Sequence, residues 1–326
     1  MTFSRLAKLP CRPAARRAAA VLSTAVLAVL LGAGLVACGG GTSQLEAFEP
    51  KRYFALGDET SSLEPNGRKF GVNGVDAAGR LDCASEPNWV QQVAASYGFA
   101  FAECNPGFLS DTNARMLARP GATVADVLAQ VETQVAAGGF RDKDLATILA
   151  GTNDILALYA QYPARSEASL MADARATGEA LARIVNRLVD LGVKVVVSNV
   201  PDAGLTPFGI AQKATFNDID RGALLSRLTV AFNEQLGVKV LLDGRFVGLV
   251  QADLRLQAMN RSPGSFGLSN VTNGVCTVAL PSCTTATLVP DAAAGIYLWA
   301  DDTRLAPAGQ SQLAGLAIDR ARRNPF

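Results

Sequence analysis

"LATILAGTND", Leu145–Asp154, opens as an unbroken apolar run and stops at Gly-Thr-Asn-Asp. A strand with no polar face is one buried on both sides, the condition of a parallel sheet covered by helices above and below. The flanking sequence agrees. Upstream, Val124, Val127, Leu128, Val131 and Val135 recur at helical spacing between Thr123 and Ala136. Thr123 can cap that helix, with Asp126 three residues on, and Gly138-Gly139 ends it. Downstream, Glu167 to Leu191 places Leu181, Ile184, Val185, Leu188 and Leu191 on one stripe, stopped by Gly192. "VKVVVSNV" (193–200) is the next strand.

The same alternation extends outward in both directions. Arg52 to Leu56 reads as a strand and Asn88 to Tyr97 as a helix. Gly222 to Leu236 reads as a helix leading to a strand at "VKVLL" (238–242). "GIYLWA" (295–300) precedes a last helix that opens near Pro307, where proline suits the first turn. Strand alternating with helix predicts an α/β fold: three layers, α/β/α, with a mostly parallel, flavodoxin-like central sheet. Residues Ser262 to Val289 are poor in strand signal and rich in Ser, Thr, Asn and Gly, and read as a surface excursion. In such sheets ligands bind beyond the C-terminal strand ends. Three polar groups fall there: Asp58-Glu59, Thr152-Asn153-Asp154 and Asp301-Asp302.

Composition narrows the chemistry. Hydrophobic residues make up 49% of the 326, enough for a large core, and there is no histidine. No imidazole can therefore serve as a base or a metal ligand, which excludes every Ser-His or Cys-His dyad. No metal and no cofactor is expected. Arg5, Lys8, Arg12, Arg16 and Arg17 crowd the N-terminus; without them 25 basic residues face 29 acidic, a charge of −4. That disfavours a nucleic-acid surface.

The basic N-terminus leads into an uncharged apolar stretch ending at Cys38, the layout of an export signal. "LVAC" (35–38) resembles a bacterial lipobox, in which Cys38 is lipidated and becomes the new N-terminus. A membrane-spanning anchor is the alternative, since the run approaches about 20 residues. Either way the rest of the chain is expected outside the cytoplasm, with the membrane as a partner. Gly39 after the cysteine resembles the sorting pattern for the outer membrane. The expected division is a signal over 1–37, a lipidated cysteine and tether over 38–50, and one domain over 51–326. Four cysteines remain in that domain: Cys83, Cys104, Cys276 and Cys283. Three pairings are open. Cys83–Cys104 and Cys276–Cys283 close the shortest loops, against an alternative of free buried thiols.

Taken in order, "GDE" (57–59), "PGATVADVL" (120–128), "GTND" (151–154), "SNVPDAGLTP" (198–207), "FGLSNVTNGVC" (266–276) and "WADDTRLAPAGQ" (299–310) resemble the blocks of the GDSL, or SGNH, family of ester hydrolases. The resemblance covers about Tyr53 to Ile318. It implies an oxyanion hole with Gly121, Asn153 and the backbone N–H of residue 59 as donors, and Asp301 as the acid that orients the base. Two positions depart from the pattern. Glu59 stands where the resemblance puts the nucleophilic serine, and Arg304 where it puts the histidine. An ester hydrolase of this kind needs an attacking oxygen and a group that accepts its proton. Arginine cannot be that base.

Two readings follow. In the first, Glu59 pairs with Arg304, or points at Gly121 and Asn153 so that its carboxylate imitates a product in the hole. Asp301 then holds the other side of Arg304, and the site binds an acyl, ester or glycan ligand or an envelope partner. In the second, Glu59 and Asp301 or Asp302 act as paired carboxylates on an ester or glycosidic bond. Ser61 or Ser62 as a replacement nucleophile is a third, weaker possibility. Asp58 is expected to brace its own turn, Asp154 to cap the segment after it, and Trp89 and Trp299 to lie in the core or pocket wall.

Overall fold

The computed structural model describes residues 48–323. Cys38, the signal and most of the tether lie outside the described residues. Six parallel strands form the central sheet: β1 (Arg52–Gly57), β4 (Ala100–Phe101), β5 (Asn113–Met116), β6 (Asp144–Leu149), β7 (Lys194–Ser198) and β8 (Val247–Val250). Their spatial order is β4-β5-β1-β6-β7-β8. Two small sheets stand apart from it. One pairs β2 (Gly74–Val75) with β3 (Leu81–Asp82); the other pairs β9 (Asn270–Gly274) with β10 (Tyr297–Trp299).

The strands are apolar on both faces because each face has its own core. Phe54, Leu56, Ala146, Ile148, Val195 and Val197 pack under α2 (Val124–Ala136), α4 (Glu167–Asp190) and α6 (Arg221–Lys239). The alternate residues Tyr53, Ala55, Leu145 and Val196 pack under α1 (Trp89–Ser96), α7 (Ala252–Arg261) and α8 (Pro307–Arg323). The described residues thus form three layers, α/β/α, around a parallel sheet. Two shorter helices, α3 (Thr152–Tyr159) and α5 (Pro207–Thr215), lie at the C-terminal edge of the strands. The chain leaves β1 toward α1 on one face, and leaves β6 toward α3 and α4 on the other. Loops that diverge this way open a crevice between adjacent strand ends.

Thr123 caps α2 through a reciprocal capping box with Asp126, as its spacing predicts. Leu128 and Val135 of that stripe are exposed, as is Leu191 at the end of α4, so the apolar stripes are narrower than periodicity suggests. "VKVLL" is not a strand. α6 runs on to Lys239, because nothing before Val240 breaks it, and the strand comes later, at "VGLV" (247–250). "GIYLWA" does supply β10, but outside the main sheet; its partner β9 lies within the stretch expected to lack strands. Both disulfides form by local pairing, Cys83–Cys104 and Cys276–Cys283, with Cα separations of 5.7 and 5.8 Å. Buried Asn73 fastens the second loop: its Nδ2 donates to the carbonyls of Pro281 and Cys283 at 3.0 Å each. Among the described residues no helix is long and apolar enough to cross a membrane.

Candidate functional site

Glu59 is placed by the way β1 ends. Gly57 has φ +127°, and a Cβ there would collide with the Leu149 carbonyl of β6, so the turn accepts glycine alone. Gln130, buried on α2, clamps the same residue. Its Oε1 accepts from the Gly57 amide and its Nε2 donates to the Gly57 carbonyl, both at 2.9 Å. Asp58 then braces the turn as expected, Oδ1 accepting from the Thr60 amide at 2.9 Å. Its Oδ2 is buried with no hydrogen-bond partner among the described residues.

Next door, β6 gives way to α3, whose first turn carries Asn153. Gly121, at φ +75°, turns its amide toward the same point from the loop before α2. Glu59 Oε2 accepts from Gly121 N at 2.7 Å and from Asn153 Nδ2 at 3.0 Å. Glu59 Oε1 makes an ion pair with Arg304 Nη2. That guanidinium also donates to Asn153 Oδ1 at 3.2 Å and to Thr303 Oγ1 at 2.6 Å. The two side chains are 3% and 14% exposed for Glu59 and Arg304, so the pair is withdrawn from water. Pairing with Arg304 and pointing at Gly121 and Asn153 are alternatives in the sequence; the structure has both, one on each carboxylate oxygen.

Asp301 behaves otherwise than expected. Its Oδ1 accepts from the backbone amides of Thr303 and Arg304, at 2.8 and 2.6 Å, so it closes its own tight turn and orients Arg304 through the main chain. It does not hold the guanidinium. Asp154 also differs. It sits in the first turn of α3 and accepts from Val124 N at 3.1 Å, satisfying a free amide at the start of α2 rather than capping the segment after it. Ser61 and Ser62 are buried. Ser61 Oγ accepts from Trp89 Nε1 at 3.1 Å, and Ser62 Oγ lies 3.4 Å from the Glu59 carbonyl, so neither is available to attack a substrate. Trp89 and Trp299 are core residues.

Burial dominates the electrostatics. It raises the carboxyl of Asp58, opposed by the nearby Arg304 charge and by bonds to Thr60. It raises Asp301 against the donated amides of Thr303 and Arg304, and raises Asp154 against the Val124 amide. It lowers Arg304, with Asp58 acting the other way. A guanidinium keeps its proton even so, and Arg304 remains a fixed positive charge. Lys69 lies on the same side, lining a cavity of about 10 Å³ with Glu59 and Gln310. Its Nζ donates to the carbonyls of Cys83 and Ser85 at 3.1 and 3.0 Å, and burial pushes its pKa down to about 8. Sequence reading points to neither Lys69 nor Gln130. The signal for Gln130 is a polar residue on the stripe of α2 that carries Val127 and Val131.

Among the described residues no group of three or more Cys, Asp or Glu side chains could hold a metal. A larger cavity, about 710 Å³, opens between α2 and α4 and meets the site's surroundings at Asp154. What the site can do is set by its donors. Gly121 N and Asn153 Nδ2 converge on one point, as in an oxyanion hole, and that point is filled by the protein's own carboxylate.

The sequence profile of the family described as GDSL-like Lipase/Acylhydrolase matches residues 64–314. The match begins beyond Glu59 and includes Gly121, Asn153, Asp301 and Arg304. No curated protein matches the chain. Among solved structures, the chain is similar to a member of the lipolytic protein G-D-S-L family from Veillonella parvula, at 12% identity over 82% of this chain and 96% of that one, with a TM-score of 0.44. It is also similar to an acetylxylan esterase from Geobacillus stearothermophilus, at 16% identity over 83% and 94%, with a TM-score of 0.39.

Proposed function

Because the chain belongs to the GDSL-like lipase/acylhydrolase family, we propose that it is a catalytically silent member of it: an exported lipoprotein that binds an acyl, ester or glycan ligand, or an envelope partner, instead of hydrolysing esters. In this reading residues 1–37 are a signal, Cys38 carries the lipid on a tether reaching to residue 50, and 51–326 is a hydrolase-like domain held in the cell envelope, at the outer membrane.

One observation carries the proposal. The Glu59 carboxylate takes the Gly121 and Asn153 donors with one oxygen and the Arg304 guanidinium with the other. An ester carbonyl has no vacant donor pair to enter, and the chain holds no histidine to take a proton from a nucleophile. The two disulfides support an oxidising compartment. The alternative, hydrolysis by a carboxylate pair, needs Glu59 free to take or give a proton, whereas both its oxygens are engaged.

The test is hydrolysis of short-chain nitrophenyl esters by the full chain, and by the same chain carrying Glu59→Ser and Arg304→His. The unaltered chain should stay at the rate of buffer. The double variant should exceed it by about 10²-fold or more, the contribution expected of a restored base and nucleophile. Turnover by the unaltered chain with kcat/KM near about 10⁴ M⁻¹ s⁻¹ or above would overturn the proposal.

A further inference from the structure

We propose that the N-terminal edge of the central sheet, opposite the Glu59 cleft, is a bilayer-contact face that keeps the cleft turned away from the membrane. The inference rests on the reading of the chain as a membrane-anchored envelope protein.

Parallel strands divide the two ends cleanly. Glu59 and Asn153 follow the C-terminal ends of β1 and β6, whereas Arg52, Asp144, Lys194 and Val247 begin β1, β6, β7 and β8 at the other end. At that other end the described chain starts. The Lys194 ammonium stands 5.6 Å from the Phe48 ring and 4.5 Å from the Phe246 ring, and it donates to the Arg245 carbonyl. Phe48, at the start of the described chain, therefore lies beside the segment that links α6 to β8.

That segment exposes a cluster of apolar side chains. Val238, Leu241 and Leu242 are 75%, 58% and 56% exposed. Large apolar side chains scattered singly on a surface need no explanation, but three within five residues do. Their backbone is held rather than loose: Leu241 N donates to Asn186 Oδ1 at 2.9 Å, and Asn186 Nδ2 donates to the Lys239 carbonyl at 3.1 Å. Lys51 and Lys143, just before β1 and β6, and Lys239 and Arg245, within the segment and its flanks, are exposed at this end of the sheet, as is Asp142, with Asp243 half-buried. Arg245 pairs with Asp243, and Lys239 lies 3.9 Å from Glu179; such exposed pairs exchange readily for lipid phosphate. Apolar tips and long basic side chains at one end of the sheet match the interface of an anionic bilayer, where the tips enter the acyl boundary and the cations reach the headgroups. Two anchoring signals, a lipid at Cys38 and this patch, also hold a protein more firmly than one.

The experiment places a tryptophan at either end of the sheet in the full chain, Leu242→Trp at the proposed face and Leu254→Trp at the start of α7, on the cleft side and comparably exposed at 53%. Val238→Trp is a second probe of the same face. Each protein is reconstituted into vesicles of phosphatidylcholine brominated on its acyl chains, mixed with phosphatidylglycerol. Fluorescence is compared with that in unbrominated vesicles, after subtracting the unaltered chain with its buried Trp89 and Trp299. Flotation with the vesicles is scored separately. The expected result is flotation of every variant, with the added emission quenched about twofold at 242 and 238 and unchanged at 254, because only side chains at acyl depth meet the bromines. Flotation without quenching at 242 and 238, or with quenching at 254, overturns the contact face and leaves the anchor standing. Failure to float overturns the anchor and the face together.

Discussion

Two arginine–carboxylate pairs stand at opposite ends of this sheet, and they are not alike. Arg52 and Asp144 face each other across one rung of β1 and β6. Their fork is closed by Nε to Oδ1 at 2.9 Å and Nη2 to Oδ2 at 2.6 Å, with Arg141 N on Oδ2 at 2.7 Å and the Gly139 carbonyl on Nη2 at 3.2 Å. Everything in that cluster comes from the two strands and the loop that joins α2 to β6. Glu59 and Arg304 come from loops at opposite ends of the domain sequence. Their remaining partners, Gly121 N and Asn153, converge on a cleft. The same chemical pair is a rivet in one place and a plug in the other. The difference lies in whether the surrounding donors belong to the pair or would serve any anion put in its place.

Removing either arginine should have the largest effect. Arg52→Ala and Arg304→Ala each strand a buried carboxylate, for about 3–5 kcal/mol of lost stability, read from urea midpoints. The comparison is sharpened by the second substitution. Adding Glu59→Ser to Arg304→Ala removes the stranded charge, and the double variant should return to within about 1 kcal/mol of the unaltered chain. Adding Asp144→Ser to Arg52→Ala should restore less: both second substitutions free an amide, but exposed Gly121 can bond water at the cleft, whereas the gap left by Asp144 is fully buried between β1 and β6. Equal recovery at both ends would mean that the Glu59 cluster is one more structural rivet.

Occupancy by another anion gives a smaller effect and a sharper distinction. Glu59→Ala leaves Gly121 N, Asn153 Nδ2 and the Arg304 guanidinium around an empty point. Acetate should stabilise that variant by about 1–3 kcal/mol at concentrations well above its Kd, seen as a rising unfolding midpoint. The unaltered chain, whose own carboxylate fills the point, should not respond, and neither should Asp144→Ala. Indifference of Glu59→Ala to acetate would deny that the donors converge on a site.

The parts of this arrangement that are legible in the sequence are those set by local rules. The two-faced apolar run at Leu145 specifies a buried parallel strand, and Gly57 and Gly151 mark where such strands must turn. Histidine's absence excludes the usual base by composition alone. The placement of Glu59 against Arg304 is legible because each follows a predicted strand end, and the resemblance in block order brings those ends to one cleft. The partition of the carboxylate, one oxygen to the donors and one to the guanidinium, is not, since it depends on side-chain directions at the meeting of four loops. The misread elements fail for a related reason. "VKVLL" has the composition of a strand, but its first half continues α6 and its second half is the exposed patch. β9 and β10 find each other across a long excursion, which no local signal records. Asp301 reads as a side-chain partner of Arg304, whereas a carboxylate three residues before another amide is as well suited to closing a turn.

The smallest expected effect tests whether the cleft end of the sheet carries a burden that the other end lacks. Asp58 is fully buried beside the pair, its Oδ2 unpartnered, and its folded-state pKa lies above the ordinary value of 3.8. The folded state therefore holds that proton more tightly than the unfolded chain. Stability from this residue is fullest below the unfolded pKa, declines as pH rises through the window up to the raised value, and is flat beyond it. Asp58→Asn keeps an oxygen for the Thr60 amide and removes the charge. Its urea midpoint should lie above that of the unaltered chain at pH 7, and the gap should close as pH falls toward 3.8. The attraction between Asp58 and Arg304 works against this outcome, but desolvation is the larger influence. A variant less stable at every pH would reverse that order and make Asp58 a third member of the ion cluster, with the Arg304 charge divided between two acids.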